Sequence, residues 1–143
     1  MTTVPIASGR CECGGVRYEV RGPGPLRNVI GCHCGQCRRT SGHFVATTRV
    51  QTADLSLLES GTLRWYRSSD TAERGFCQRC GGNLFWRPTS PGSTTTSIMA
   101  GTLDTPTGLH FVEHIFVADK SDYYEINDGT PQSAQWYEGR TGA

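Results

Sequence analysis

Cys77-Gln78-Arg79-Cys80-Gly81-Gly82 is a short turn carrying two thiols and two glycines, and its reading decides how this 143-residue chain folds. A near copy, Cys11-Glu12-Cys13-Gly14-Gly15, lies far upstream. In both turns the glycines allow positive φ, so that backbone N–H groups can curl toward the thiolates. Two such turns meeting at one ion would tie residues near the N-terminus to residues past the middle. A structural zinc contributes ~10–16 kcal/mol of apparent folding free energy. A Cys₄ site of Cys11, Cys13, Cys77 and Cys80 is therefore expected to be required for the fold.

The remaining three cysteines stand together in Cys32-His33-Cys34-Gly35-Gln36-Cys37-Arg38-Arg39-Thr40-Ser41-Gly42. The spacing C-x-C-x-x-C lets three sulfurs converge on one soft metal ion. Closed structural zinc sites take four protein ligands, whereas catalytic ones usually take three and keep a position open. Seven cysteines divide naturally into four and three. A competing arrangement completes the central loop with His33 or the distant His114 and makes both sites structural. His33 sits between two ligands, and its side chain is expected to point away from an ion that Cys32 and Cys34 face.

Composition narrows the class. Apolar residues make up 36% of the chain, which with 18 glycines is ordinary for one globular domain spanning 1–143. No apolar run approaches the ~18 residues of a membrane span. A net charge of +1, from 14 basic and 13 acidic side chains, gives no pull toward nucleic acid or membrane. Met1 to Ser8 has neither the basic start nor the apolar stretch of a signal peptide, so a cytoplasmic location is expected. Disulfides rarely persist there, and an odd cysteine count suits a disulfide framework badly.

Most segments read as short strands. Val16, Tyr18 and Val20 alternate with Arg17, Glu19 and Arg21, the period of a half-buried strand. Strands are also expected over 6–11, 43–50, 84–86, 97–101 and 111–117. Segments 55–59 and 63–68 suggest a hairpin turning near Ser60-Gly61. One helical turn is expected after Cys37, and Trp136-Tyr137 are expected to pack back on the body. Trp65, Phe76, Phe85, Trp86 and Phe111 are candidate core residues. The expected fold is mainly β, a single domain of short antiparallel strands.

Three thiolates make a metal a weak Lewis acid, which disfavours water activation for hydrolysis. They suit acceptance of a fourth thiolate, with the incoming thiol losing its proton. Chemistry at the sulfur of a small thiol follows, with Cys32, Cys34 and Cys37 as the catalytic set. Arg38 and Arg39 are candidates for offsetting the negative cluster or binding a carboxylate. His33 and His43 are candidates for proton transfer. Thr40 and Ser41 lack a base partner and suit capping. A DNA-reading zinc finger would need a recognition helix and a basic face, and neither is evident.

GRCECGGVRYEV (Gly9 to Val20), CHCGQCRRTSGHF (Cys32 to Phe44) and RGFCQRCGGNLFW (Arg74 to Trp86) together resemble the glutathione-dependent formaldehyde-activating enzyme family, whose domain is shared with centromere protein V. AGTLD (Ala100 to Asp104) and HIFVADKSDYYEI (His114 to Ile126) extend the resemblance over nearly the whole chain. The resemblance implies a zinc-binding β-tent fold with two Zn²⁺ per chain. One would be structural at Cys11, Cys13, Cys77 and Cys80, the other catalytic at Cys32, Cys34 and Cys37. It implies carbon–sulfur lyase activity that joins formaldehyde to glutathione or releases it. Beside this enzyme stands a second expectation, a zinc-stabilised binding or scaffold module without catalysis. The oligomeric state, the thiol and its carbonyl partner stay open at this level.

Overall fold

A computed structural model describes residues 4–136. Ten strands form two sheets. The smaller contains β1 (Ala7–Arg10), β2 (Arg17–Val20) and β5 (Leu55–Glu59), in the order β1-β2-β5. The larger contains β3 (Val29–Cys32), β4 (Val45–Gln51), β6 (Leu63–Arg67), β7 (Ala72–Cys77), β8 (Asn83–Pro88), β9 (Thr95–Met99) and β10 (Phe111–Ile115), in the order β10-β3-β4-β9-β8-β7-β6. Every pairing is antiparallel except β3 with β10. Those two run parallel because a long excursion through the rest of the large sheet separates them, and a parallel pair needs such a crossover.

The mainly β single domain anticipated from the strand pattern is what the chain adopts. Val16, Tyr18 and Val20 reach from the small sheet into one core with Leu84, Phe85 and Ile98 of the large one. The alternation read in residues 16–20 is thus the inward face of β2. Tyr18 meets Phe85 edge to face at 5.5 Å between ring centroids, and its hydroxyl bonds Thr102 Oγ1 at 2.7 Å. That bond removes the cost of burying the phenol oxygen. Of the other expected core residues, Trp65, Phe76, Trp86 and Phe111 are only partly buried.

The expected hairpin of 55–59 with 63–68 does not form. Both segments are strands, but β5 pairs with β2 and β6 pairs with β7. The chain changes sheets in between because the start of β6 is bound to the second cysteine turn. The Gln78 N–H donates to the Thr62 carbonyl at 2.8 Å, and Leu63 pairs with Cys77. A short link that reads as a hairpin turn is here a corner joining two sheets.

The single turn expected after Cys37 is a seven-residue helix, α1 (Gly35–Ser41), that begins before Cys37. Cys34 caps its start, and Gly42 ends it at φ 84° with its N–H on the Arg38 carbonyl. Such a left-handed terminus suits glycine. Ser41 Oγ donates to the Cys37 carbonyl at 2.7 Å, and Thr40 Oγ1 donates to it at 3.2 Å, so both side chains serve the helix end. After β10 the chain doubles back. The Phe116 N–H reaches the Gln135 carbonyl, and Trp136 packs on Phe116 at 5.2 Å. Tyr137, the other half of the expected pair, lies outside the described residues.

Candidate functional site

The two glycine-rich turns bring Cys11, Cys13, Cys77 and Cys80 together, with all four sulfurs within 4.8 Å of one another. Cys11 Sγ lies 3.8 Å from Cys13 Sγ, which lies 3.7 Å from Cys77 Sγ. Sulfurs on a tetrahedral ion with bonds of about 2.3 Å stand ~3.8 Å apart, so the cluster fits such an ion as it stands. Gly14 and Gly81, the first glycine of each pair, take φ of 76° and 77°, using the positive φ that the paired glycines allow. The Gly15 N–H donates to Cys13 Sγ and the Val16 N–H to Cys11 Sγ. Thr62 Oγ1 sits 3.3 Å from Cys77 Sγ, and this contact foremost draws the Cys77 thiol down to about 6.

Cys32, Cys34 and Cys37 form the second cluster, again with their sulfurs within 4.8 Å. Cys32 ends β3, Cys34 caps α1, and Cys37 lies inside its first turns, so a strand end and a helix start aim three thiols at one point. The Cys37 N–H donates to Cys34 Sγ at 3.3 Å. The Cys32 and Cys37 thiols, with that N–H, pull Cys34 far below the usual thiol range, while Cys32 is pushed up. The cluster therefore favours the thiolate at Cys34, the form in which a cysteine ligates a metal.

Arg74 is the group that sequence reasoning missed. Its side chain rises from β7, is 5% exposed, and sets Nη1 and Nη2 each 3.8 Å from Cys37 Sγ. Nη2 also donates to Gln36 Oε1 at 3.3 Å, and Gln36 is held by the Ser68 carbonyl. Nε has no partner. A buried guanidinium needs an anion nearby, and no carboxylate pairs with Arg74 among the described residues. The thiol cluster supplies that charge. Arg38 and Arg39, the expected counter-charges, are half-buried and exposed respectively, and neither borders the cavity beside the cluster. Arg74 precedes Cys77 by three positions, yet only the packing of β7 against α1 brings it to Cys37.

That cavity measures about 200 Å³. Cys32, Cys34 and Cys37 form one wall, with Arg74, Trp86, Arg27, Arg49 and Trp136 around them. Trp86, expected in the core, is thus part of a site wall.

His33 is fully buried and points away from the sulfurs, as its place between two ligands suggested. Nε2 meets His114 Nδ1 at 2.9 Å and Nδ1 meets the Tyr124 hydroxyl at 2.5 Å. His114 Nε2 in turn meets Asp128 Oδ2 at 2.7 Å. Burial first, then the neighbouring His114, pushes His33 down to about 4. The neutral His33 ring thus offers one donor and one acceptor to Tyr124 and His114, and His114 Nε2 donates to the Asp128 carboxylate. The arrangement that would complete the central loop with His33 or His114 is not found, since neither joins a metal-type cluster among the described residues. His43 is exposed and bonds the Tyr123 hydroxyl, and it does not border the cavity.

The model of the family described as glutathione-dependent formaldehyde-activating enzyme matches residues 6–119, which include all seven cysteines. An uncharacterized lyase of Schizosaccharomyces pombe is 29% identical over 128 residues, covering 89% of this chain and 90% of the yeast protein. The crystal structure of a Rhodobacter sphaeroides protein superposes with a TM-score of 0.59 at 19% identity, over 87% of this chain and 98% of that one. At that identity the likeness shows a shared fold. Among the described residues no helix is long and apolar enough to cross a membrane.

Proposed function

Because the chain belongs to the glutathione-dependent formaldehyde-activating enzyme family, we propose that it is a zinc-dependent lyase acting on the carbon–sulfur bond of a small thiol adduct. The coarse assignment to lyase-type enzymes rests on the family and on the yeast relative that carries that name. The finer reading is S-hydroxymethylglutathione chemistry, with glutathione as the thiol and formaldehyde as the carbonyl partner. In that reaction the S–H bond breaks, sulfur bonds to the carbonyl carbon, and the proton ends on the carbonyl oxygen. The reverse reaction returns all three.

The observation that carries the reading is the incomplete ligand set at Cys32, Cys34 and Cys37. Three sulfurs converge where a tetrahedral ion wants four, and among the described residues they face a cavity rather than a fourth ligand. A Zn²⁺ held there would lower the pKa of an incoming thiol and take its sulfur as fourth ligand. The protein's own residues do the rest. The cluster favours the thiolate at Cys34, Arg74 offsets the cluster's charge, and Trp86 forms part of the cavity wall. The Cys₄ cluster is read as a structural zinc site that anchors the sheet corner at Thr62.

Metal analysis with thiol titration tests the proposal. Two zinc ions per chain are expected, and in the cobalt-substituted protein reduced glutathione should alter the absorption of one site only. A protein holding one ion, or two that ignore added thiol, would instead be the zinc-stabilised scaffold.

A further inference from the structure

A second cavity of about 400 Å³ lies beside the first, and the two share Arg27 and Arg49 as walls. Val45, Thr47, Arg49 and Gln51 alternate along β4 and so occupy one face of the large sheet. Val45 and Thr47 border the smaller cavity, Gln51 the larger, and Arg49 both. Val45 pairs with Cys32, so this face leads directly away from the thiol cluster. At ~3.4 Å per residue, Arg49 stands roughly 14 Å along the strand from that level.

The two arginines differ in how they are held. Arg27 Nη2 donates to the Thr47 carbonyl at 2.9 Å and to Thr47 Oγ1 at 3.0 Å, which fixes its position. Arg49 is half-buried and, among the described residues, makes neither hydrogen bond nor ion pair. A partly desolvated guanidinium with free donors is suited to bidentate binding of a carboxylate. Asp54 borders the larger cavity but not the smaller, and its carboxylate disfavours an anion beside it, which leaves the wall shared with the smaller cavity as the anionic position.

We propose that Arg49, beside the fixed Arg27, receives a carboxylate of the thiol substrate. On the glutathione reading proposed above, the thiol then lies extended along β4 with its sulfur at Cys32, Cys34 and Cys37. Arg49 borders the same cavity as the three cysteines, so its side chain spans part of that distance. An extended peptide covers about 3.3–3.6 Å per residue, so a carboxylate on a residue adjoining the thiol residue comes within its reach. A cysteine-sized acid is too short. This inference rests on the thiol-lyase reading of the site, and it assigns the residue that selects among thiols.

The test is calorimetric titration of the full-length zinc-loaded protein with reduced glutathione, glutathione diethyl ester, cysteine and 2-mercaptoethanol. The wild type should bind glutathione at least about 10-fold more tightly than the ester or cysteine. Arg49→Gln should lose about that factor for glutathione while binding the ester and 2-mercaptoethanol unchanged, and Arg49→Lys should recover part of it. Equal affinity of the wild type for acid and ester overturns the assignment without any variant. So does an Arg49→Gln protein that weakens toward all the thiols alike, or a wild type that prefers cysteine. Binding of neutral thiols without preference for the acid removes only the Arg49 role. Failure of the wild type to bind any thiol removes the lyase reading as well.

Discussion

His33 Nε2 lies 2.9 Å from His114 Nδ1, joining the middle of the cysteine loop to a strand 81 residues later. The bond continues to Tyr124 on one side and to Asp128 on the other. It backs β3 against β10 beneath the thiol cluster, where the His33 N–H also donates to the Ile115 carbonyl at 3.0 Å. His33 therefore acts on the site by holding its backbone, since its ring faces away from the sulfurs.

Replacing His33 with Phe should test that role. The change leaves the buried His114 ring without its partner, which costs about 1–3 kcal/mol for an unsatisfied group, and also frees the half-buried Tyr124 hydroxyl. The urea midpoint should fall while zinc content stays at the wild-type value. Loss of one zinc equivalent would show that His33 is a ligand.

Arg74→Met keeps the bulk of the side chain and removes its charge beside Cys37. A supporting residue outside the ligand set typically contributes 10–100-fold to metal affinity. If the two clusters hold zinc as proposed, competition with a chromophoric chelator should find one of the two equivalents released about 10–100-fold more readily, with the other unchanged. Equal retention of both would make Arg74 a packing residue only.

The two clusters should respond differently to serine. Cys77→Ser breaks the site that joins the two ends of a long loop and should abolish the cooperative thermal transition, because a structural zinc carries ~10–16 kcal/mol of apparent folding free energy. Cys34→Ser keeps a good helix cap for α1, since serine serves well there. That variant should melt cooperatively with one zinc per chain and no response to glutathione. A Cys34→Ser protein as unstable as Cys77→Ser would favour the scaffold.

Gly81 isolates the backbone contribution of the turn. At φ 77° with nothing within 4 Å of an added Cβ, Gly81→Ala carries strain alone, about 1–2 kcal/mol. Gly81→Asn should cost less, because asparagine tolerates this conformation. Gly9→Ala should cost more than either, since its Cβ would run into Tyr18 Oη and the Thr102 carbonyl. Thermal melts of the three variants should follow that order.

Much of the candidate site was legible in the chain itself. Thiols one or two residues apart, followed by glycines, leave few ways for a turn to fold, and the division into four and three followed from counting. The outward turn of His33 followed from its neighbours. The strand at 16–20 was visible because burial on one sheet face writes a period of two into the sequence.

Partners across the sheets were another matter. Leu55 to Glu59 and Leu63 to Ser68 read as a hairpin because proximity in sequence was the only available guide, yet the Cys77 turn claims the second strand for the other sheet. Arg74 looks like any strand arginine until β7 packs on α1, and Arg49 like a surface cation until two cavities meet at its side chain. Local spacing determined which atoms can hold a metal, because ligands a few residues apart share one turn of backbone. Which charges surround that metal, and what lies beside it, depended on contacts between segments far apart in the chain, and only the tertiary structure decided those.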